Sequence, residues 1–249
     1  MAMKNFIFFD TETTGNTEED VLCQIAYAKK ERGDTSFEDG EIFVELYNPG
    51  KPIPPEASAV HHISNKMVEG KETFKKSSDY EKIKKLFEDK DNIPVAHNAP
   101  FDINMFSKED INIGDFICTL RLVRHMDKDS KIPRYNLQYL RYFLDMDVDA
   151  QAHDAKGDVL VLGKLFERLY KKFLDKNNGD EEKAIKEMIE ISSKPSIMRV
   201  FGFGKYNGQK VEDVAKMDRG YLEWIYNEKL KNPDGEEDWL YTLKYFLEQ

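Results

Sequence analysis

Runs of apolar residues predict five strands in the first half of the chain. Residues 5–9 form a continuous apolar and aromatic run, which is typical of a buried strand. Residues 21–27 and 42–46 alternate between apolar and polar, as half-buried strands do, and an Asn-Pro-Gly turn follows the second of these segments. Two short apolar runs, at 93–96 and 116–118, predict a fourth and a fifth strand.

Apolar residues at helical spacing occupy much of the chain between and after these strands. They predict helices over residues 77–88, 136–144, 154–173 and 181–191. Strands that come first and then alternate with helices are typical of an α/β fold. We therefore expect a central mixed sheet with helices on its faces.

The pattern changes again near residue 195. The Asn-Gly pair at 207–208 lies between two strand-like runs, which predicts a hairpin. Asp218 and Asp234 each precede an apolar segment of helical period and are expected to cap two helices. The sequence thus predicts a large domain over 1–175, a helical linker over 176–194, and a small α+β domain over 195–249 that consists of a hairpin and two helices.

The composition is typical of a globular protein of a reducing compartment. Of the 249 residues, 40% are hydrophobic and 34% are charged, which excludes wholesale disorder. Two cysteines, Cys23 and Cys118, exclude a disulfide scaffold, so we expect a cytoplasmic protein. No run reaches the ~18 apolar residues of a membrane span, and the first apolar run ends at Asp10, too early for a signal peptide.

The charge balance narrows the classes of partner. The chain carries 37 basic and 47 acidic residues, a net charge of −10. Phosphate backbones favour basic surfaces, so this balance argues against an ordinary nucleic-acid-binding surface. Carboxylates that hold divalent cations reverse the argument, because the ions neutralise them. Net charge alone fits both a metal-binding protein and an ordinary acidic one.

Asp10 and Glu12 form the first of three polar clusters. They follow directly on the buried run at 6–9, and residues two apart on a strand point to the same face. Two neighbouring carboxylates repel each other unless a cation or a shared proton lies between them. The alternative is a solvated turn, in which Asp, Thr and Gly are common.

The second cluster, residues 97–102, follows the fourth predicted strand and begins a helix-like segment. Asn98 is expected to cap that helix, and Pro100 is tolerated in its first turn. Capping accounts for Asn98, but it requires neither Phe101 nor Asp102. The carboxylate of Asp102 therefore remains available near the helix N-terminus.

The third cluster, residues 152–158, begins a long helix with Asp154 as its expected cap. His153 lies just before the helix and Asp158 lies one turn inside it. An imidazole titrates near neutrality and suits general-base chemistry. Taken alone, His153 is better explained by a structural role than by a catalytic one.

Together the clusters bring four carboxylates and one histidine to strand ends and helix starts. Hard oxygen ligands suit Mg²⁺ or Mn²⁺. Two such ions roughly 3.5–4 Å apart can stabilise both the attacking and the leaving oxygen in phosphodiester cleavage.

The three clusters resemble the motifs of the DEDD-type 3′–5′ exonuclease family, in the branch whose last motif carries histidine. That branch includes polymerase proofreading subunits and ribonuclease T-like enzymes. Its pattern is Asp-x-Glu, then Asp, then His-x4-Asp, which matches Asp10 and Glu12, Asp102, and His153 and Asp158. The resemblance covers the first 175 residues and implies a ribonuclease H-like fold, a five-stranded mixed sheet flanked by helices.

The resemblance also implies a role for each core residue. Asp10 would bridge two divalent metal ions, Mg²⁺ or Mn²⁺, and Glu12 and Asp158 would hold the ion that activates water. Asp102 would help to hold the ion near the leaving group, and His153 would take the proton of the attacking water. The product would be a nucleoside 5′-monophosphate released from a 3′ end.

Further residues are implied to contact the terminal nucleotide or to brace the second motif: Thr11, Thr13, His61, Asn98 and Phe101. The chain departs from the family at His62, where glycine is usual, and this change would narrow the base pocket. Cys118 stands where an aspartate is frequent, and Val159 stands where alanine is common. None of these departures removes a metal ligand, so we expect the activity to be retained.

The last 55 or so residues resemble the small domain of exodeoxyribonuclease X-like proteins, at residues 203–208 and 221–225. This second resemblance favours DNA over RNA as the substrate. A basic hairpin with aromatics could bind single-stranded nucleic acid through Arg199, Lys205, Tyr206 and Lys210. The alternative is that the aromatic residues form the core of a small domain.

The predicted function is therefore metal-dependent 3′–5′ exonuclease activity on nucleic-acid 3′ ends, with DNA favoured and with a polymerase or repair partner. Two alternatives stay open, an exoribonuclease of the ribonuclease T type and an inactive nucleic-acid-binding module on a nuclease fold. The spacing Asp10-x-Glu12-x-Thr14 also resembles the motif of aspartate-nucleophile phosphatases, although the second acid of that motif is aspartate.

Overall fold

The structure, a computed structural model, describes residues 5–31, 42–148 and 155–249. Contacts divide the chain into two compact units. The first consists of Met1–Leu120 and Asn136–Ser193, and the second of Arg121–Tyr135 and Lys194–Gln249. Each unit is described separately below.

The first unit contains a five-stranded mixed sheet. Its strands are β1 (Asn5–Thr13), β2 (Leu22–Lys30), β3 (Phe43–Leu46), β4 (Asn92–Ala96) and β5 (Ile117–Cys118). The strand order is β3-β2-β1-β4-β5. Strands β1, β4 and β5 run parallel, whereas β2 is antiparallel to both β1 and β3. All five predicted strands are confirmed.

Helices flank this sheet, as predicted. They are α1 (Pro55–His61), α2 (Asn65–Val68), α3 (Tyr80–Glu88), α4 (Ala99–Lys108), α5 (Thr119–Met126), α6 (Leu137–Phe143), α7 (Ala155–Lys176) and α8 (Glu181–Ser192). Helix α5 continues from the first unit into the second. The helix predicted from residue 77 begins three residues later, after a 3₁₀ turn at Phe74–Lys76.

The central strand β1 is covered on both faces. On one face Phe8 packs against Phe166 of α7, with 5.1 Å between ring centres. On the other face Phe9 packs against Phe87 of α3 and Phe106 of α4, at 5.0 and 5.5 Å. Because side chains alternate along a strand, the next residues continue these two faces: Asp10 and Glu12 follow Phe8, and Thr11 follows Phe9.

Strand β1 extends beyond the apolar run at 5–9 and carries both acids of the first cluster near its C-terminal end, as predicted. It continues to Thr13, because β2 pairs with it beyond Phe9, with Thr11 opposite Ile25 and Glu12 opposite Gln24. The register shifts between Glu12 and Thr13. The two acids are therefore held by a hydrogen-bonded strand and not by a turn, so the solvated-turn alternative is wrong.

The second unit has a small core of its own, formed by buried residues of α9 (Val211–Met217), α10 (Arg219–Lys231), α11 (Glu237–Leu247) and the preceding loop: Phe201, Tyr206, Val211, Val214, Leu222, Ile225 and Leu243. The predicted hairpin is reduced to a single antiparallel bridge between Val200 and Lys210. Its second strand-like run folds into α9, because Val211 and Val214 are needed by the core. Three helices follow the bridge where the sequence suggested two.

The predicted caps of the last two helices have different outcomes. Asp218 accepts a hydrogen bond from the Tyr221 backbone N–H and caps α10, as predicted. The expected cap at Asp234 is wrong, because α11 begins at Glu237 after a turn closed by Pro233 and Glu236.

Candidate active site

Three carboxylates meet at the C-terminal part of β1. Asp10 and Glu12 project from the face of the strand that packs against α7, and Asp158 lies in the first turn of that helix. One oxygen of each of the three lies within 4.8 Å of the others. Residues almost 150 positions apart in the sequence thus form one acidic cluster.

Burial and mutual repulsion perturb the acids of this cluster. Burial, and then the charges of Asp102, Glu12 and Asp158, raise the pKa of Asp10 well above its usual range. Burial and the charges of Asp158 and Asp102 raise the pKa of Glu12 to about 8. The neighbouring charges that act on Asp10 are all carboxylates. The ionised carboxylates of the cluster therefore repel one another, and a bound proton or cation would relieve this repulsion.

The donor set fits a hard divalent cation. Three carboxylate oxygens at this separation are the ligand type that Mg²⁺ and Mn²⁺ prefer, and no thiol or imidazole is among the clustered ligand atoms of the described residues. Cys23, which lies opposite the acidic motif on β2, is a buried thiol whose pKa is raised to about 12 by burial and by the charge of Glu12. Its thiol is thus protonated at neutral pH in the metal-free protein.

Asp102 approaches the cluster from the other face of β1. It lies in the first turn of α4, and its Oδ1 accepts hydrogen bonds from the backbone N–H (3.1 Å) and the hydroxyl (2.7 Å) of Thr11. Burial raises the pKa of Asp102 to about 7, although the bonds from Thr11 oppose the shift. Its charge acts on both Asp10 and Glu12. Thr11 therefore orients the carboxylate of Asp102.

Sequence reasoning missed Gln138. This residue lies in the first turn of α6 and donates a hydrogen bond from its Nε2 to Oδ1 of Asp158 at 2.5 Å. Its Oε1 accepts from Arg141 at 3.5 Å, which fixes the orientation of the amide. No sequence signal singled it out, because a glutamine on an amphipathic helix is common.

Replacing Gln138 with leucine is expected to lower metal affinity roughly ten-fold or more, because residues that orient a metal ligand typically contribute that much. The apparent Mg²⁺ constant for activity should rise while the rate at saturating Mg²⁺ recovers. A titration of activity against Mg²⁺ measures both. The control is Gln209→Leu, at an exposed position of the second unit. An unchanged Mg²⁺ constant in Gln138→Leu would rule out the positioning role.

Thr13 and His61, both expected near the terminal nucleotide, contact each other. His61 Nδ1 accepts from the backbone N–H of Ile63 at 3.0 Å, so Nε2 carries the proton and donates to the Thr13 carbonyl at 3.2 Å. Burial lowers the pKa of His61, which keeps the ring neutral. The Thr13 hydroxyl donates to the carbonyl of Gly15 at 2.5 Å. Both side chains therefore hold the chain where it leaves β1.

The second motif differs from its expected local structure. Asn98 precedes α4 with φ 71°, and its side chain makes no capping hydrogen bond, so the expected side-chain cap is wrong. The exposed amide of Asn98 and the half-buried ring of Phe101 lie on the turn that delivers Asp102. His97 contacts the hydroxyl of Thr119 at 2.9 Å, which ties this turn to the start of α5.

His62, which stands where the resembled family has glycine, has φ 62° and ψ 13° at the end of α1. A left-handed conformation costs an L-residue roughly 1–2 kcal/mol, and part of this is offset by the greater chain entropy of glycine. We therefore expect His62→Gly to raise the melting temperature of the first unit by about 2 °C. Calorimetry measures the shift. His62→Ala is the control, since it keeps the strained φ and should not stabilise.

His153 and its neighbour Asp154 lie outside the described residues. The first described residue of α7 is Ala155, which is buried, and Asp158 follows three positions later. The expected general base and the expected helix cap thus remain sequence-based predictions.

Asp20 holds the loop after β1 together, a role that the sequence did not indicate. Asp20 accepts hydrogen bonds from the hydroxyls of Thr14 and Thr17, both at 2.7 Å, and from the Thr17 backbone N–H at 2.9 Å. Lys51 approaches it at 3.2 Å. The bonds from Thr17 and Thr14 hold the pKa of Asp20 well below its usual range. The loop that follows Glu12 is therefore built around a permanently ionised carboxylate.

Comparisons with known proteins identify the family of the chain. A family model described as Exonuclease matches residues 7–166, and one described as Exodeoxyribonuclease X-like C-terminal matches residues 201–229. Exodeoxyribonuclease 10 of Escherichia coli (strain K12) is 31% identical over 217 residues, with 84% of this chain and 88% of the relative covered. DNA polymerase III subunit epsilon of Treponema pallidum (strain Nichols) is 29% identical over 205 residues, with 74% and 87% covered.

Solved structures show the same fold. The structure titled "Exonuclease X in complex with 5′ overhanging duplex DNA" has a TM-score of 0.55 and 24% identity, with 76% of this chain and 99% of that chain covered. "Product bound structure of exonuclease I at 1.5 angstrom resolution" has a TM-score of 0.57 and 15% identity, with 81% and 52% covered. The predicted ribonuclease H-like fold is confirmed.

A nuclease is the class of enzyme that the fold, the acidic cluster and these matches define. The chain belongs to the exonuclease family, since the family model covers more than half of it and a relative 31% identical spans most of it. Both predicted resemblances, of the large domain and of the C-terminal one, are confirmed. Within the described ranges, the helices are too short or too polar to cross a membrane.

Proposed function

We propose that this chain is a metal-dependent 3′–5′ exonuclease that releases nucleoside 5′-monophosphates from DNA 3′ ends. The convergence of Asp10, Glu12 and Asp158 within 4.8 Å carries the proposal. Such a group is expensive to bury unless cations occupy it. The similarity to Exodeoxyribonuclease 10 and the match to the Exodeoxyribonuclease X-like C-terminal model favour DNA over RNA.

The residues of this chain divide the chemistry between them. Asp10, Glu12, Asp158 and Asp102 would hold two divalent ions, Mg²⁺ or Mn²⁺. When bound, these ions supply an activated water and neutralise the charge that develops on the leaving oxygen. Thr11 orients Asp102, and Gln138 orients Asp158. His153 would accept the proton of the attacking water, as its position before α7 suggests.

The terminal nucleotide would be contacted in two ways. Thr11, Thr13 and His61 would act mainly through the backbone, since their side chains are buried and already bonded within the protein. Asn98 and Phe101 have more exposed side chains and would contact the terminal nucleotide directly.

The organisation and setting of the protein belong to the same proposal. We assign catalysis to residues 1–175 and substrate binding to 195–249, joined by 176–194, and the two family matches fall within these bounds. Two buried cysteines that form no disulfide favour a cytoplasmic setting. The similarity to a DNA polymerase III epsilon subunit supports a polymerase or repair partner.

Oligonucleotides labelled at either end test the activity. In Mg²⁺, a 3′-labelled DNA strand should release labelled mononucleotide at once, whereas a 5′-labelled strand should shorten in single steps. A matched RNA strand should react more slowly. Faster release from RNA would establish the exoribonuclease alternative, and tight binding without release would establish an inactive module. Endonucleolytic fragments from the 5′-labelled strand would contradict the proposal.

A further inference from the structure

A cleft of about 360 Å³ lies entirely within the second compact unit. Its lining comes from the segment 124–135, from the loop 197–203, and from Trp239 of α11. Its volume falls in the range of roughly 300–1,000 Å³ that is typical of ligand sites. The exonuclease chemistry described above does not use it, because the acidic cluster belongs to the first unit.

One side of the cleft is aromatic. Trp239 stacks on Phe201, with 5.3 Å between ring centres and 17° between planes, and Phe203 meets Trp239 edge-on at 4.9 Å. Phe201 is fully buried, whereas Phe203 and Trp239 are half-buried. The buried ring thus supports two others whose surfaces are partly open. We call Phe203 and Trp239 the aromatic wall.

The charged residues of the lining are arginines. Arg124 and Arg199 are both present, and no carboxylate is among the described residues that line the cleft. Arg124 pairs with Asp238 through Nη1, while its buried Nε has no hydrogen-bond partner in the described part of the chain. Arg199 is exposed, and among the described residues no carboxylate lies within 4.0 Å of its side chain. Arg199 is therefore the lining cation that has no ion pair within the described residues, beside an aromatic surface, while the charge of Asp129 acts on it from a greater distance.

The charge of the whole unit agrees with that of its cleft. The second unit carries 14 basic and 12 acidic residues, a net charge of +2, which leaves −12 for the rest of the chain. A polyanion is therefore favoured by the unit that contains the cleft and repelled by the other unit in the absence of metal.

The structure changes which of the predicted hairpin residues can form a binding surface. Tyr206 is buried, and its hydroxyl donates to Asp218 at 2.7 Å, so it belongs to the core. Lys205 forms an ion pair with the same carboxylate at 3.1 Å. Of the basic hairpin residues, Arg199 is the one that lines the cleft.

We propose that the cleft binds a single-stranded segment of the nucleic-acid substrate, with a base stacked on the aromatic wall and a phosphate paired with Arg199. Aromatic stacking combined with a cationic groove is the general way in which single strands are bound without sequence readout. Guanidinium groups suit phosphate because they bind it in a planar, bidentate way. The proposal rests on the proposed function only for the identity of the ligand as substrate.

Tryptophan fluorescence tests the stacking directly. The chain has two tryptophans, and Trp224 on α10 is 57% exposed, so the variant Trp224→Phe leaves Trp239 as the reporter. Titration with a 12-mer of deoxythymidylate in EDTA, which prevents cleavage, should quench this fluorescence in a saturable way. A polyglutamate of equal length should not quench it. Quenching by polyglutamate but not by the oligonucleotide would overturn the proposal.

Affinity measurements test the phosphate contact. By anisotropy in EDTA, Arg199→Ala is expected to raise the dissociation constant of a labelled 12-mer roughly ten-fold and to reduce the slope of log affinity against log salt by about 0.7. The matched control is Lys216→Ala, which removes the same charge from an exposed residue of α9 that pairs with Glu212 outside the cleft. Equal affinities and salt slopes in the two variants would overturn the proposal.

A third measurement separates this proposal from the exonuclease proposal. In Mg²⁺, release of 3′-labelled mononucleotide from the 12-mer is measured for wild type beside the affinities of wild type and Arg199→Ala in EDTA. Release by wild type with unchanged 12-mer affinity in Arg199→Ala would defeat the cleft alone. If wild type cleaved no substrate while Arg199→Ala still weakened binding of the 12-mer, the exonuclease proposal would be defeated and the cleft supported.

Discussion

Replacement of Asp10 with asparagine is expected to abolish nucleotide release and, at the same time, to raise the melting temperature of the metal-free protein. Asp10 is the member of the cluster on which three other carboxylates act. A bound metal supplies several kcal/mol of transition-state stabilisation, so loss of a central ligand should lower kcat at least ~10³-fold.

The gain in stability has a separate cause. Burial holds the pKa of Asp10 far above its ordinary value, so at neutral pH the metal-free protein must either bury a charge or bind a proton to fold. Asparagine has the same shape and no charge, which removes that cost. A variant that loses all activity while it gains stability cannot be explained as misfolded.

Two measurements and a control decide the outcome. Release of 3′-labelled nucleotide gives the activity, and thermal unfolding in EDTA gives the stability. The control is Asp175→Asn, an exposed position of α7, the helix that also carries Asp158. It should change neither quantity. Near-normal release by Asp10→Asn would refute the metal assignment, and a lower melting temperature would refute the buried-charge argument.

The sheet and most of the site could be predicted because their signals are local. The signal for each strand lies within three to seven consecutive residues, and the alternation of β1 alone puts Asp10 and Glu12 on one face. That Asp158 would join them required the path of the chain between β5 and α7, which no local pattern contains. The resemblance to a known family supplied this long-range information.

The wrong and the missed predictions concern features that depend on contacts between distant parts of the chain. An Asn-Gly pair is a strong local hairpin signal, yet the small core needed Val211 and Val214 on a helix, so packing prevailed over the turn signal. Gln138 was missed because its role depends on Asp158 being beside it, and a lone glutamine on a helix carries no pattern. The cleft was missed because residues 121–135 and 194–249 join one unit only in three dimensions.

Metal and pH are expected to act on stability together. The pKa of Glu12 is raised to about 8 and that of Asp102 to about 7, whereas their ordinary values are 4.5 and 3.8. Between these limits the folded protein binds more protons than the unfolded chain, so the free energy of unfolding falls as pH rises through this window. Below pH ~4 both states are protonated and the penalty vanishes.

Divalent cations should reverse this loss of stability, and their effect should be greatest at the pH where the loss is largest. The increase in melting temperature on adding Mg²⁺ or Mn²⁺ is therefore expected to be greater at pH 8 than at pH 6, because at the lower pH the metal competes with bound protons. At a concentration of 100 times its dissociation constant, a metal should stabilise by about 2.7 kcal/mol. Thermal unfolding at both pH values, with metal and with EDTA, measures the difference.

His61 requires a control in that experiment. Burial lowers its pKa, so the unfolded chain binds the extra proton, and this residue makes stability rise with pH up to the ordinary histidine pKa of about 6.5. The variant Asp10→Asn retains His61 but lacks the central acid, so the difference between the two proteins isolates the carboxylates. We expect wild type in EDTA to lose stability relative to Asp10→Asn between pH 6 and 8. Parallel curves for the two proteins would mean that the cluster does not carry the buried charge on which the metal site depends.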